Sequence, residues 1–179
     1  MYRLLPVLIL LCGCDKPRSE SPEKSTNPPV VSLNAPPYLE HAQPKLRTMK
    51  LWLGPKEISA ELAINETEVA TGMMYRDKME ENEGMLFVFG RPHRTSFYMR
   101  NTYLPLSCAY IDSDGAILEI HDLKPLDETP VYAKTEQIQY VLEMKQGWFE
   151  RNGVRVGTVV RTEHGSLPET FFRRTNEKL

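Results

Sequence analysis

The residues best equipped for chemistry sit together in Phe97-Tyr98-Met99-Arg100-Asn101-Thr102, shortly before a lone thiol at Cys108. In an extended chain, alternation sends Phe97 and Met99 to one face and Tyr98 and Arg100 to the other. Tyr98 and Arg100 then project side by side, about 7 Å apart along the strand. A flat ring beside a planar cation suits stacking on a sugar and gripping a carboxylate or phosphate. The same pair also suits a ring and guanidinium that stack only on each other. Asn101 and Thr102 extend the run with hydrogen-bonding groups.

Other chemistry is less well supplied. Cys108 as a nucleophile would need a base and an orienting group, and no spacing signals either. Alternation instead groups it with Leu106 and Tyr110, the company of a small buried hydrophobe. Asp112 and Glu143 are the best carboxylates for acid–base work, though both also fit exposed strand positions. With Trp148 they are candidate walls or partners for a ligand held by Tyr98, Arg100, Asn101 and Thr102. No catalytic residue is assigned. His41, His93, His121 and His164 are scattered, without ligand spacing. Asp112-Ser113-Asp114-Gly115 opens like a calcium loop, but the closing position is Leu123, so a hairpin turn explains it better. No metal is expected. Nor is a cofactor, because neither a Gly-rich phosphate loop nor a nucleophile elbow is present.

These residues must be positioned mainly by strands. Ile58, Ala60, Leu62 and Ile64 alternate with Ser59, Glu61 and Ala63, as a half-buried strand does. Asn65-Glu66-Thr67-Glu68 resembles a capping box, and the pairs Val69/Met73 and Ala70/Met74 predict a short helix over 66–75. Met85-Leu86-Phe87-Val88-Phe89 is a buried strand or leads into one. Residues 109–111 and 116–120 flank the Asp-Ser-Asp-Gly turn as a hairpin. Ile138, Tyr140, Leu142 and Met144 mark another strand, residues 147–152 a turn or single helical turn, and 158–162 a last strand. The expected fold is mainly β, a compact sandwich or barrel with one short α-helix, rather than a parallel α/β sheet.

The ends of the chain are different in kind. Arg3, the apolar stretch Leu4–Leu11 and the small residues after it read as a secretory signal, residues 1–13, too short to span a bilayer. Leu11-Cys12-Gly13-Cys14 resembles the lipobox of bacterial lipoproteins, which implies lipidation of Cys14 and attachment to a membrane of the cell envelope. Asp15 resembles an inner-membrane retention signal. Cys12 leaves with the signal and Cys14 carries lipid, so Cys108 is the single remaining thiol and no intramolecular disulfide is expected. Residues 14–47 hold seven of the 14 prolines and form a semi-extended tether. One β-rich domain follows over 48–162, then a polar tail over 163–179. With 22 Lys and Arg against 24 Asp and Glu, nothing favours nucleic acid as a partner.

Several motifs occur in a characteristic order: Gly72-Met73-Met74-Tyr75-Arg76, Glu83-Gly84-Met85-Leu86-Phe87, Phe97-Tyr98-Met99-Arg100-Asn101-Thr102, Leu104-Pro105-Leu106, Tyr110-Ile111-Asp112 and Tyr140-Val141-Leu142-Glu143. In these the chain resembles the domain-of-unknown-function 192 family, over almost all of 48–162. The resemblance implies a jelly-roll-like fold, no established reaction and a role in saccharide binding. Where this chain has Tyr98-Met99-Arg100, the family pattern reads Trp-Met-Lys, so aromatic and cation are kept in kind. Ser107 and Thr158 stand where the family pattern has aspartates, which removes those two carboxylates from any shared mechanism.

Three functions are then in view. The first is a lipid-tethered module that binds a small polar ligand, such as a saccharide. The second is an envelope hydrolase using Asp112 or Glu143. The third is a module that docks on a protein partner without a small ligand.

Overall fold

The structure, a computed structural model, describes residues 36–172. The signal segment, Cys14 and most of the proline-rich tether lie outside the described residues. The elements in chain order are β1 (Thr48–Leu53), β2 (Lys56–Ala63), α1 (Glu66–Thr71), β3 (Glu83–His93), β4 (Ser96–Phe97), β5 (Leu106–Asp112) and β6 (Ile117–Leu123). They continue with β7 (Val131–Tyr132), β8 (Ile138–Lys145), α2 (Trp148–Arg151), β9 (Val160–Thr162), β10 (Gly165–Ser166) and α3 (Leu167–Phe172). The fold is mainly β, as the alternating segments require.

Eight strands make one sheet in the order β10-β9-β1-β2-β3-β8-β5-β6, and β4 pairs with β7 alone. Among the described residues the one parallel pair is β2–β3. A parallel pair needs a crossover rather than a tight turn, and α1 supplies it. The helix starts where its capping box forms: Asn65 Oδ1 accepts from Glu68 N–H at 2.9 Å, and Glu68 Oε2 accepts from Asn65 N–H at 3.1 Å. It ends at Gly72, whose φ of +48° suits glycine. A Cβ on Gly72 would also press within 3.2 Å of the Phe87 ring.

The sheet curls without closing into a barrel. An isolated bridge between Ala116, just before β6, and Val159, just before β9, is flanked by Ile117 N–H donating to Thr158 O at 2.9 Å and Val160 N–H to Gly115 O at 2.8 Å. The inner face of the curl collects Leu51, Ile58, Leu62, Leu86, Ile117, Leu142, Trp148 and Val160 into one core. A second core covers only the outer face of β3, β8, β5 and β6, with Met85, Phe87, Cys108, Tyr110 and Val141 beneath Met73, Met79 and Met99. Burial on both faces is why residues 85–88 are continuously apolar rather than alternating.

Several boundaries differ from expectation, and α1 stops at Thr71 rather than at residue 75 because the chain turns at Gly72. Ile64 lies beyond the end of β2 and is 48% exposed, while Ala63 joins the outer core. The segment after Thr162 is no loose tail as far as Phe172. β10 pairs with β9, and α3 buries Leu167 and packs Phe171, one turn later, against the inner core. At the other end Gln43 Nε2 donates to the carbonyls of Gly72 at 2.8 Å and Glu68 at 3.2 Å, so the last tether residues lie along the domain.

Candidate functional site

The run 96–102 is a strand only through Phe97. It then leaves the strand and turns at Asn101, whose φ of +51° lies in a region Asn tolerates better than most residues. Tyr75, at φ +61°, faces it. Tyr75 N–H donates to Asn101 O at 2.7 Å, and Asn101 Nδ2 donates to the Tyr75 hydroxyl at 2.7 Å. The two loops are clipped together by this exchange. The expected separation of faces survives the loss of the strand, with Met99 1% exposed and Tyr98 37% exposed.

The polar groups of the run are mostly committed to the protein itself. Arg100 donates from Nε at 3.0 Å and Nη2 at 2.8 Å to Glu128 Oε2. Its guanidinium lies 5.4 Å from the Tyr98 ring and 5.8 Å from that of Tyr38. The hydrogen bond to Glu128 above all raises its already high pKa. Thr102 is buried and donates to Arg100 O at 3.0 Å. Of the expected ligand residues Tyr98, Arg100, Asn101 and Thr102, Tyr98 alone lines the cavity described next.

That cavity, about 210 Å³, opens between α1, the turn after it and the outer face of the sheet. Val69, Gly72 and Met74 form one wall, and Phe87, Phe89, Phe97 and Tyr98 the other. Thr95 and Ser96 add the few polar groups near the rim. Glu143 also lines it. Glu143 is 4% exposed, and its Oε2 has no hydrogen-bond partner among the described residues. Burial without a compensating partner disfavours the charged form, and the carboxyl is pushed from 4.5 up to about 8.

Strand register explains how a carboxyl comes to sit there. Glu143 stands opposite Met85 on β3 and Cys108 on β5, and Cys108 stands opposite His121 on β6. Directly paired residues share a face, so Met85, Glu143, Cys108 and His121 form a row across the outer side of the sheet. Cys108 is a buried free thiol whose pKa is pushed up by burial and by the Glu143 carboxyl. It is a poor thiolate. His121 Nε2 lies 2.9 Å from Glu119 Oε2, and Lys134 N–H donates to Glu119 Oε1 at 2.7 Å. Burial raises the Glu119 pKa, but these partners outweigh it and leave the group lowered. The Tyr110 hydroxyl donates to Val131 O.

Two other residues of the expected set, Asp112 and Trp148, do not line this cavity. Asp112 Oδ1 accepts from Asp114 N–H at 3.0 Å and Ala116 N–H at 2.8 Å, which is the work of a hairpin turn. It stands opposite Ile138, roughly 17 Å along β8 from Glu143 at the usual strand rise. Trp148 is fully buried in the inner core, with Nε1 donating to Asn82 Oδ1 at 3.3 Å. Glu143 and Tyr98 therefore meet at one cavity, and Asp112 and Trp148 do not share it. Among the described residues no group of three or more His, Cys, Asp or Glu is placed to hold a metal ion.

The aromatic wall was missed from the sequence. Its signal lay in the run 85–89, where Phe87 and Phe89 share one parity and Leu86 and Val88 the other. Such a run says that both faces are covered. It does not say that one cover is incomplete.

Comparison with known proteins places the domain. A solved structure from Sinorhizobium meliloti 1021, provisionally described as a transcription regulator, is 31% identical, with a TM-score of 0.64 over 68% of this chain and 98% of that one. A protein of unknown function from Novosphingobium aromaticivorans DSM 12444 is also 31% identical, with a TM-score of 0.61 over 65% of this chain and 86% of that one. No curated protein matches the chain. The model of the DUF192 family, described as Uncharacterized ACR, matches residues 49–162, and the chain belongs to that uncharacterised family.

Proposed function

We propose that this protein is a lipid-anchored component of the bacterial cell envelope whose domain binds a small ligand in the cavity between α1 and the outer face of the sheet. One observation carries the binding reading: a buried Glu143 oxygen without a partner, facing an otherwise apolar and aromatic cavity. An unpaired buried polar atom is costly, and a ligand donor reaching it would remove that cost. Tyr98 stands at the rim as a platform for a ring or an apolar stem. Arg100, paired with Glu128, props that ring and is not the primary grip.

A hydrolase built on two cooperating carboxylates has no comparable support, since Asp112 is occupied in its turn and distant from Glu143. A nucleic-acid role sits poorly with a net charge of −2.

Calorimetry with soluble saccharide and peptide fragments of the envelope, on wild type, Tyr98→Ala and Arg100→Ala, tests the binding reading. Binding that is lost in Tyr98→Ala and only weakened in Arg100→Ala is expected; equal binding by all three would move the site elsewhere. The anchor is tested by fatty-acid labelling in cells, which Cys14→Ser is expected to abolish.

A further inference from the structure

Building on the cavity reading above, we propose that its ligand is a compact organic cation, an ammonium on a short apolar stem, paired with Glu143 among the rings of Phe87, Phe89, Phe97 and Tyr98. The lining holds four aromatic rings, one unpartnered carboxyl and no Lys, Arg or His. Aromatic faces attract cations within about 6 Å of a ring centroid, most strongly where water is excluded. Phe87 and Phe97 already stand edge to face with centroids 4.8 Å apart, so faces and edges of more than one ring border a small guest. A carboxyl completes such a cage by supplying the full counter-charge.

The alternatives fit less well. A neutral sugar displays hydroxyls on all sides, and the lining offers only the hydroxyls of Thr95, Ser96 and Tyr98 besides Glu143. Arg100, Asn101 and Thr102 are bonded within the protein. An anion would meet a carboxyl with no lining cation to offset it.

The groups facing Glu143 leave this charge logic simple. From β3 comes Met85, and from β5 comes Cys108, a thiol that burial keeps neutral. On β8 itself the neighbours of the same face are Val141, in the outer core, and Lys145, exposed at the strand's end. The α1 side contributes Val69, Ala70, Gly72 and Met74. At the rim stands Tyr98, with Arg100 beyond it already paired to Glu128. An arriving ammonium therefore meets one acid, and that acid carries a proton at neutral pH because burial holds its pKa at about 8. The ammonium enters with its charge and the carboxyl proton leaves to buffer, so the complex carries the same net charge as the free protein.

The test uses the full chain and three probes of one shape: isobutylammonium, isobutanol and isobutyrate. Titrations followed by the amide resonances of Val69, Ala70 and Gly72 locate binding in the cavity. Isobutylammonium is expected to bind at least about tenfold more tightly than isobutanol, as a desolvated ion pair with ring contacts implies, and isobutyrate more weakly still. Calorimetry in buffers of different ionisation enthalpy should detect release of a proton. Affinity should rise with pH toward about 8, steeply at the acid end. Glu143→Gln should bind isobutylammonium and isobutanol equally. Phe89→Leu, at the half-buried rim, keeps the carboxyl and should lose affinity for the ammonium more than for the alcohol. Equal binding of alcohol and ammonium by wild type, or a preference for isobutyrate, overturns the cation while leaving the cavity a ligand site. No shift at those amides with any probe overturns both.

Discussion

The two faces of one sheet have been put to different uses, and β8 shows it residue by residue. Tyr140, Leu142 and Met144 point into the curl, where Leu51, Ile58, Trp148 and Val160 surround them. Val141 and Glu143, from the same strand, point outward among Met85, Phe87 and Cys108. The inner face is served by seven strands and sealed by α2 and α3. Its polar exceptions are few: the Trp148 indole bonds to Asn82, and the Tyr140 hydroxyl is buried without a hydrogen-bond partner among the described residues. The outer face is roofed by α1, the β4–β7 pair and loops, which leave a cavity lined by a buried acid. A close-packed layer can tolerate little change in volume, so it supplies stability. The looser layer can hold groups that are expensive to bury, so it is where binding becomes available.

The largest expected effect breaks the packed side. Trp148→Ala removes a fully buried indole, and aromatic truncations in cores cost roughly 3–5 kcal/mol. Urea denaturation should show a loss of that size, with an unchanged response of the α1 amides to a cavity ligand in the folded fraction. A much smaller loss would mean that the inner face tolerates a void as the outer one does.

Glu143→Gln sharpens the contrast from the other side. The carboxyl titrates at about 8 in the fold against 4.5 ordinarily. Between those values the folded state keeps a proton that the unfolded state has released. Stability therefore falls as pH rises through that window, by at most about 1.4 kcal/mol per unit, and the contribution is flat above and below it. The glutamine variant lacks this slope. At pH 9 it should be more stable than wild type by roughly 2–4 kcal/mol, and near pH 4 it should have no such advantage. Parallel pH profiles for the two proteins would show that Glu143 is ionised and paired in the fold.

Much of this division was written locally and could be read. The capping box at Asn65, the hairpin turn at Asp112 and the alternation of Tyr140, Leu142 and Met144 depend on near neighbours, and each forms where its pattern places it; Ile138, beyond a register irregularity in the β8 pairing, joins the outer core instead. The family motifs were equally legible over 49–162. What could not be read depends on register between distant strands. Nothing within residues 96–102 announces that the strand will end at Phe97, that Asn101 will bond Tyr75, or that Arg100 will be occupied by Glu128. Nor does the flanking sequence of Glu143 distinguish an exposed strand acid from one beneath a roof. Trp148 and Asp112 were placed with the ligand because of their chemical types. Sheet order put Trp148 on the inner face and turn geometry occupied Asp112. The helix at 167–172 shows the same limit: Leu167 and Phe171 in a polar stretch are ordered by a core the tail cannot see in its own sequence.

The smallest effect concerns how the roof is held. α1 is six residues long, too short to be stable alone. Its interior face touches the cavity rather than a filled core, so its N-terminal cap bears an unusual share of its stability. Asn65→Ala removes the Oδ1 that accepts from Glu68 N–H and should cost about 1 kcal/mol. The loss should be local in character. Hydrogen exchange is expected to accelerate at Val69 and Gly72, whose N–H groups close the helix onto Asn65 O and Glu68 O at 2.9 Å each, while amides of β8 keep wild-type protection. Ligand affinity should fall along with that protection, because Val69 and Gly72 form the cavity wall. If β8 exchanged faster to the same degree, roof and sheet would unfold as one unit, and the two faces would differ in chemistry but not in mobility.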